Sequence, residues 1–147
     1  MRTIHVDRVI ETVEKLCMNA NYYLNSDIFI ALEAAANHEK SPNGRLVLES
    51  LQKNAAIARE EKMAICQDTG MAVVFLEIGQ EVHITGGSLT EAVNEGVRRG
   101  YRKGFLRCSV VKHPLHRENT GDNTPAVIHT EIVPGDKLKI EVAPKGF

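Results

Sequence analysis

Apolar and polar positions divide the chain into two stretches that meet near Met63. Before it, apolar residues recur at helical spacing. Val9, Val13, Leu16 and Ala20 stand three or four apart, and Asp7 is placed to cap the segment. "NSD" at 25–27 interrupts the pattern, and Ser26 can cap a second helix through "IFIALEAAANHEK". "SP" at 41–42 opens a third. Ser41 takes the cap and Pro42 the first helical position, where a missing N–H costs nothing. Leu48, Leu51, Ala55 and Ala58 then mark one face, so residues 1–62 read as a three-helix region.

Beyond Met63 the pattern turns to strands. "AVVFLEI" at 72–78 is continuous and rich in β-formers, as in a buried strand. "EVHIT" is a shorter strand. Ser88 and Glu91 form a capping box for a helix whose apolar row is Leu89, Val93, Val97 and Tyr101, ending at Gly104. The polar loop "KHPLHRENTGDNTP" follows. Two alternating segments, "AVIHTEIV" and "KLKIEVA", then read as a hairpin around "PGD" with one wet face. The predicted class is α+β: a helical region over 1–62, then a mixed β-sheet with one further helix over 63–147. Because "VAPKGF" follows directly on a strand, the chain is expected to be the front part of a larger domain.

Composition narrows the function classes. At 147 residues, 43% hydrophobic and 25% charged, the chain has the make-up of one globular domain. A formal net charge of −1 gives no electrostatic footprint for nucleic acid. No apolar run approaches the roughly 18 residues of a membrane span. "MRTIHVDRVIETVEKL" lacks the apolar core and cleavage site of a signal peptide, which makes the cytoplasm the default compartment. Cys17, Cys66 and Cys108 are odd in number and widely spaced, so each is a core residue, a nucleophile or a metal ligand rather than part of a disulfide framework.

The stretch "AICQDTGMAVVF" at 64–75 holds the densest chemistry. Cys66 stands at a helix-to-strand junction, and Gly70 gives the chain freedom to turn there. A thiol, the Gln67 amide, the Asp68 carboxylate and the Thr69 hydroxyl in succession can hold a small polar anion beside a thiolate-bound metal. Three readings stay open on the residues alone. One is a buried cysteine before an ordinary Asp-Thr-Gly turn. Another is a nucleophile, which needs a nearby histidine that spacing does not supply. The third is a metal site, which needs further ligands, and no C-x-x-C is present.

"ICQDTGMAVVFLEIGQEVHITGG", then "EAVNEGVRRGY", "LRCSVV" and "NTGDNTPAVIHTEIVPGDKLKIEVAPKGF", occur in an order that resembles the alpha-type iron–sulfur hydro-lyases. These are the class I fumarate hydratases and L-tartrate dehydratases. The chain is most similar to the alpha subunit of two-subunit bacterial fumarases. The resemblance implies a [4Fe–4S] cluster held by three cysteines, with one open iron that acts as a Lewis acid on a small dicarboxylate. Cys66 matches the first cluster ligand, Gln67 and Asp68 match residues lining the substrate site, and Arg107 matches a carboxylate-binding arginine. A guanidinium suits that task because its planar fork can bind a carboxylate bidentately and stays charged.

The alternative readings are a surface salt bridge for Arg107 and an Asx-turn acid for Asp68. The other two family ligands are expected beyond "PKGF". Cys17, beside an apolar stripe, and Cys108 do not match them. No residue of the chain is assigned as the proton-abstracting base, which the resemblance places in a beta subunit or beta-type domain. Most of Asn119, Thr120, Asn123 and Thr124 are expected to serve turn chemistry. The implied function is reversible hydration of fumarate to (S)-malate in an oligomeric enzyme. The alternatives are an L-tartrate dehydratase alpha chain and a non-catalytic assembly domain. The isolated chain is expected to be inactive.

Overall fold

The computed structural model describes residues 1–146; Phe147, where the resemblance ends, lies outside the described residues. In chain order the elements are β1 (Arg2–His5), α1 (Val6–Tyr22), α2 (Ser26–His38), α3 (Pro42–Glu61), β2 (Met71–Gly79), β3 (Val82–Thr85), α4 (Leu89–Lys103), β4 (Val127–Val133) and β5 (Leu138–Lys145). The α+β class holds: helices lead, and a mixed sheet with one more helix follows.

Several boundaries follow the predicted local chemistry. Ser41 Oγ accepts the Gly44 N–H at the start of α3, with Pro42 as its first residue. Ser88 Oγ accepts the Glu91 N–H at the start of α4. Two predicted caps are displaced. The first helix begins at Val6, and His5 caps it by accepting the Asp7 N–H on Nδ1 at 3.3 Å, so Asp7 lies inside the first turn. The residues before it form β1, parallel to β3. Ser26 is likewise the first residue of α2, and Asn25 precedes it as the cap.

The predicted hairpin of the last two strands does not form. β4 and β5 flank β2 instead, parallel and antiparallel to it, in the order β4-β2-β5. The reason lies in β2. A central position pairs both edges of β2 and buries Ala72, Val74 and Leu76, while Phe75 on the other face stays exposed, so the strand is covered on one face and not fully buried as its apolar run suggests. The "PGD" connection therefore arches over the end of β2, where Gly79 N–H donates to Lys137 O and Gln80 N–H to Val133 O.

One face of this sheet carries the core. Ala72, Val74 and Leu76 are buried in alternation, and Val74 sits in register between Ile128 and Val142. Against this face lie α1, through Val9, Val13 and Cys17, and α4, through Val93, Val97 and Tyr101. Each such aliphatic side chain contributes about 1.5–3 kcal/mol by leaving water. The other face stays open, with Phe75 stacked on His129 at 5.1 Å. Helices α2 and α3 pair mainly with each other.

α1 can lie close on α4 because α4 carries glycines at the contact. A Cβ on Gly96 would stand 2.6 Å from Val13 Cβ, and one on Gly100 would stand 2.8 Å from Glu14 O and 2.9 Å from Cys17 Cβ. Gly100→Ala therefore sets two effects against each other: a gain of about 1 kcal/mol in helix propensity and an overpacking cost of about 1–3 kcal/mol. The clash is with backbone, which yields little, so the cost prevails. Thermal denaturation is expected to show a lower Tm for Gly100→Ala, and a raised Tm would contradict this packing.

Candidate functional site

The segment 63–70 joins α3 to β2 and is anchored before the chemistry begins. Lys62 ends α3 in the left-handed conformation. Ile65 N–H then donates to Asn21 O on α1 at 2.9 Å, and Asn54 Nδ2 on α3 donates to Ile65 O at 2.9 Å. Cys66 is the next residue, and its side chain stands exposed. The Asp68 N–H points at its sulfur, 3.4 Å away. Gln67 is exposed as well.

Asp68 is half-buried, and its Oδ1 accepts the Gly70 N–H at 3.2 Å. This is the Asx-turn geometry expected of an acid before Thr-Gly. A Cβ on Gly146 would come within 2.6 Å of Asp68 Oδ2, so the carboxylate lies against the backbone that ends β5. Gly70 has φ +59°, and a Cβ there would fall 2.0 Å from Lys145 O. Only glycine combines that φ with that approach.

Arg107 joins the turn through its backbone: Thr69 Oγ1 donates to Arg107 O at 2.8 Å. Its guanidinium is exposed and takes part in no ion pair among the described residues. Among the described residues, the surface salt bridge weighed as its alternative role is not formed. The structure thus gathers Cys66, Gln67 and Asp68 on one turn, with the Arg107 segment hydrogen-bonded to it.

Two buried residues missed by sequence reasoning support the gathering. Tyr101 OH donates to Thr69 O at 2.7 Å. Asn123 is fully buried with φ +61°; its Nδ2 donates to Gly70 O at 3.0 Å, and its Oδ1 accepts the N–H groups of Ser109 and Val110. The turn role expected for this loop describes Thr124, which donates to Asp122, and only one end of Asn119, which accepts Gly121 N–H while its Nδ2 donates to Cys108 O; Thr120 Oγ1 donates to Val110 O, outside the turn. It does not describe Asn123, whose partners are distant in sequence. The available signal was an asparagine beside two turn-forming residues, a type that tolerates the left-handed region. Tyr101 was read as core, and its hydroxyl gave no sequence signal.

The other cysteines sit differently. Cys17 is buried between α1 and α4, and burial pushes its thiol up to about 12, so it stays protonated in the core. Cys108 is half-buried and lines a cavity of about 280 Å³ with Arg102, Phe105 and Asp122. Burial first, and then the Asp122 charge, raise its thiol above the ordinary value. Among the described residues, no group of three His, Cys, Asp or Glu side chains could hold a metal ion. No helix among them is long and apolar enough to cross a membrane.

The loop behind the site is tied to α4 by charge. Arg98 Nε donates to Asp122 Oδ2 at 2.8 Å, and Asn94 Oδ1 accepts the Ala126 N–H. Burial alone would raise the Asp122 carboxyl, but hydrogen bonds from Arg98 and Thr124 outweigh it and hold the group at about 2, below its ordinary 3.8. A lowered folded value means the contact stabilises fully above 3.8 and is lost as pH falls toward about 2. Acid titration of Asp122→Asn beside the wild type is expected to show a difference in stability that shrinks across that window. A constant difference would contradict it.

A family model described as fumarate hydratase (Fumerase) matches residues 10–147. The chain is 34% identical over 145 residues to the putative L(+)-tartrate dehydratase subunit alpha of Methanocaldococcus jannaschii, covering 95% of this chain and 50% of that protein. It is 37% identical over 115 residues to fumarate hydratase 2 of Leishmania major, covering 77% of this chain and 20% of that protein. It is 36% identical over 110 residues to the anaerobic class I fumarate hydratase of Escherichia coli, covering 74% and 20%. The chain thus spans half or less of the length of these relatives. On the match from residue 10 to 147, the chain belongs to the fumarate hydratase family, which takes in class I fumarate hydratases and L(+)-tartrate dehydratase alpha subunits.

Proposed function

We propose that this chain is the front part of the alpha chain of an iron–sulfur hydro-lyase that interconverts fumarate and (S)-malate. The observation that carries this reading is the pairing of two anchored segments: the 66–70 turn with its exposed thiol, amide and carboxylate, and the Arg107 segment bonded to it through Thr69. An exposed thiol that receives a backbone N–H fits one ligand position of a [4Fe–4S] cluster. Among the described residues no group of three His, Cys, Asp or Glu side chains could hold a metal, and the resemblance to the family assigns the remaining thiolates to sequence outside this chain. When bound, such a cluster supplies Lewis acidity toward a hydroxyl group.

The chain's own residues handle the substrate's charge and polar groups. Arg107, without a protein ion-pair partner among the described residues, is available to clamp a carboxylate. Gln67, exposed beside the thiol, can both donate to and accept from a substrate hydroxyl or carboxylate. Asp68 is held by the turn that its own Oδ1 closes, which fixes its place relative to Cys66. The base that takes the proton from carbon is assigned to a beta-type partner; two relatives carry the words "subunit alpha" in their names.

A second reading is L-tartrate dehydration, favoured by one observation: the relative that matches 95% of this chain is named a putative L(+)-tartrate dehydratase subunit alpha. The two substrates differ by one hydroxyl, so the same carboxylate clamp and thiol serve both. Relative kcat/KM for malate and L-tartrate in the assembled enzyme separates them. A preference for malate supports the first reading, and a preference for tartrate replaces it with the second.

A further inference from the structure

We propose that Asn123 and Tyr101 are positioning residues: together they clasp the 66–70 turn to the 107–110 segment and so set the spacing at which Gln67, Asp68 and Arg107 meet one substrate. The inference rests on the carboxylate-binding reading of Arg107 and adds what holds that site in register.

The geometry distinguishes a clasp from ordinary packing. Asn123 is wholly buried, yet each end of its amide is used. The Nδ2 end bonds Gly70 O at 3.0 Å, and the Oδ1 end bonds Ser109 N–H at 2.7 Å and Val110 N–H at 3.2 Å. One side chain thus spans two segments that are 39 to 40 residues apart in the chain (109 − 70 and 110 − 70). Its backbone takes φ +61°, a conformation asparagine adopts at smaller cost than most residues. Tyr101 OH, buried on α4, donates to Thr69 O and lies 3.4 Å from Gly70 O. The carbonyls of Thr69 and Gly70 are therefore held by two rigid elements, one a helix and one a loop that α4 itself grips through Asn94 and Arg98.

Removing one donor leaves a buried carbonyl unpaired and frees the turn to open. The displacement falls at the two residues after Asp68, and Arg107 sits across the bond from Thr69. A small shift there changes the separation of groups that must act on one ligand, and catalysis is sensitive to such shifts.

The experiment uses two near-isosteric variants. Tyr101→Phe deletes only the hydroxyl. Asn123→Asp keeps the acceptor toward Ser109 and Val110 and, in its ionised form, sets a second acceptor against the Gly70 carbonyl in place of the donor. In the 147-residue chain, amide hydrogen exchange over 66–70 is read. It is expected to rise about three- to tenfold, the factor that one lost hydrogen bond represents, while exchange in β2 and α1 stays as in the wild type. In the assembled enzyme kcat is expected to fall more than KM rises, with Arg107→Lys measured alongside. Unchanged exchange over 66–70 in Tyr101→Phe overturns the clasp, and so does a loosened turn with wild-type kinetics in both variants. If Arg107→Lys is silent too, the carboxylate reading fails with it. If Arg107→Lys is impaired, only the clasp fails.

Discussion

Cys66→Ser is expected to abolish both the iron–sulfur absorbance and the turnover of the assembled enzyme. Cys66 stands exposed at the head of a turn, with the Asp68 N–H directed at its sulfur. A serine oxygen would occupy the same place but is a hard ligand with a much higher proton affinity, poorly matched to cluster iron. The fold does not depend on this side chain, because the turn is held by Asn21, Asn54, Tyr101 and Asn123 through backbone atoms of residues 65, 69 and 70. The variant should therefore fold with a wild-type Tm, and Cys17→Ser supplies the contrast. Cys17 is fully buried against α4, so its loss should lower Tm while a correctly folded fraction keeps its iron. Iron and sulfide content with thermal denaturation on the two variants checks this. Normal iron content in Cys66→Ser would remove Cys66 from the ligand set.

The second large effect belongs to Arg107. Arg107→Lys keeps the positive charge and loses the planar fork, so a bidentate contact becomes a single point of attraction. By comparison with truncated charge pairs, the loss in transition-state binding is roughly 2–4 kcal/mol, about 30- to 700-fold in kcat/KM. Because Arg107 is exposed and in no ion pair among the described residues, the substitution breaks no ion pair there, and stability should not move. The split between unchanged Tm and reduced kcat/KM distinguishes ligand binding from a structural role. Wild-type kcat/KM with both fumarate and tartrate would mark Arg107 as a surface residue.

Much of this architecture was legible from local chemistry. Ser41-Pro42 and Ser88-x-x-Glu91 specify helix starts through hydrogen bonds within a single turn, so they could be read without tertiary knowledge. The period of Leu89, Val93, Val97 and Tyr101 gave the buried row of α4 in the same way. The last two strands were misassigned as partners because alternation shows that a strand has two faces but not which strand lies beside it. Burial of the sheet decided that, and β2 came between them. The site divides along the same line. Cys66, Gln67 and Asp68 are adjacent in sequence and could be read as a unit, with resemblance adding Arg107. Asn123 is read from the sequence as turn chemistry because its bonds to Gly70, Ser109 and Val110 reach across the fold, and nothing local to "GDNTP" separates such an asparagine from one that closes its own turn.

The central claim is that this chain contributes one cluster ligand and a carboxylate clamp to a larger hydro-lyase. The most direct test is malate formation from fumarate under anaerobic conditions after reconstitution with iron and sulfide. The chain is assayed alone and together with the remaining half of an alpha chain and a beta-type partner. The account predicts no steady turnover by the chain alone and sustained hydration by the cluster-loaded assembly. Steady turnover by the isolated chain, or none by an assembly carrying its full complement of iron, would contradict it.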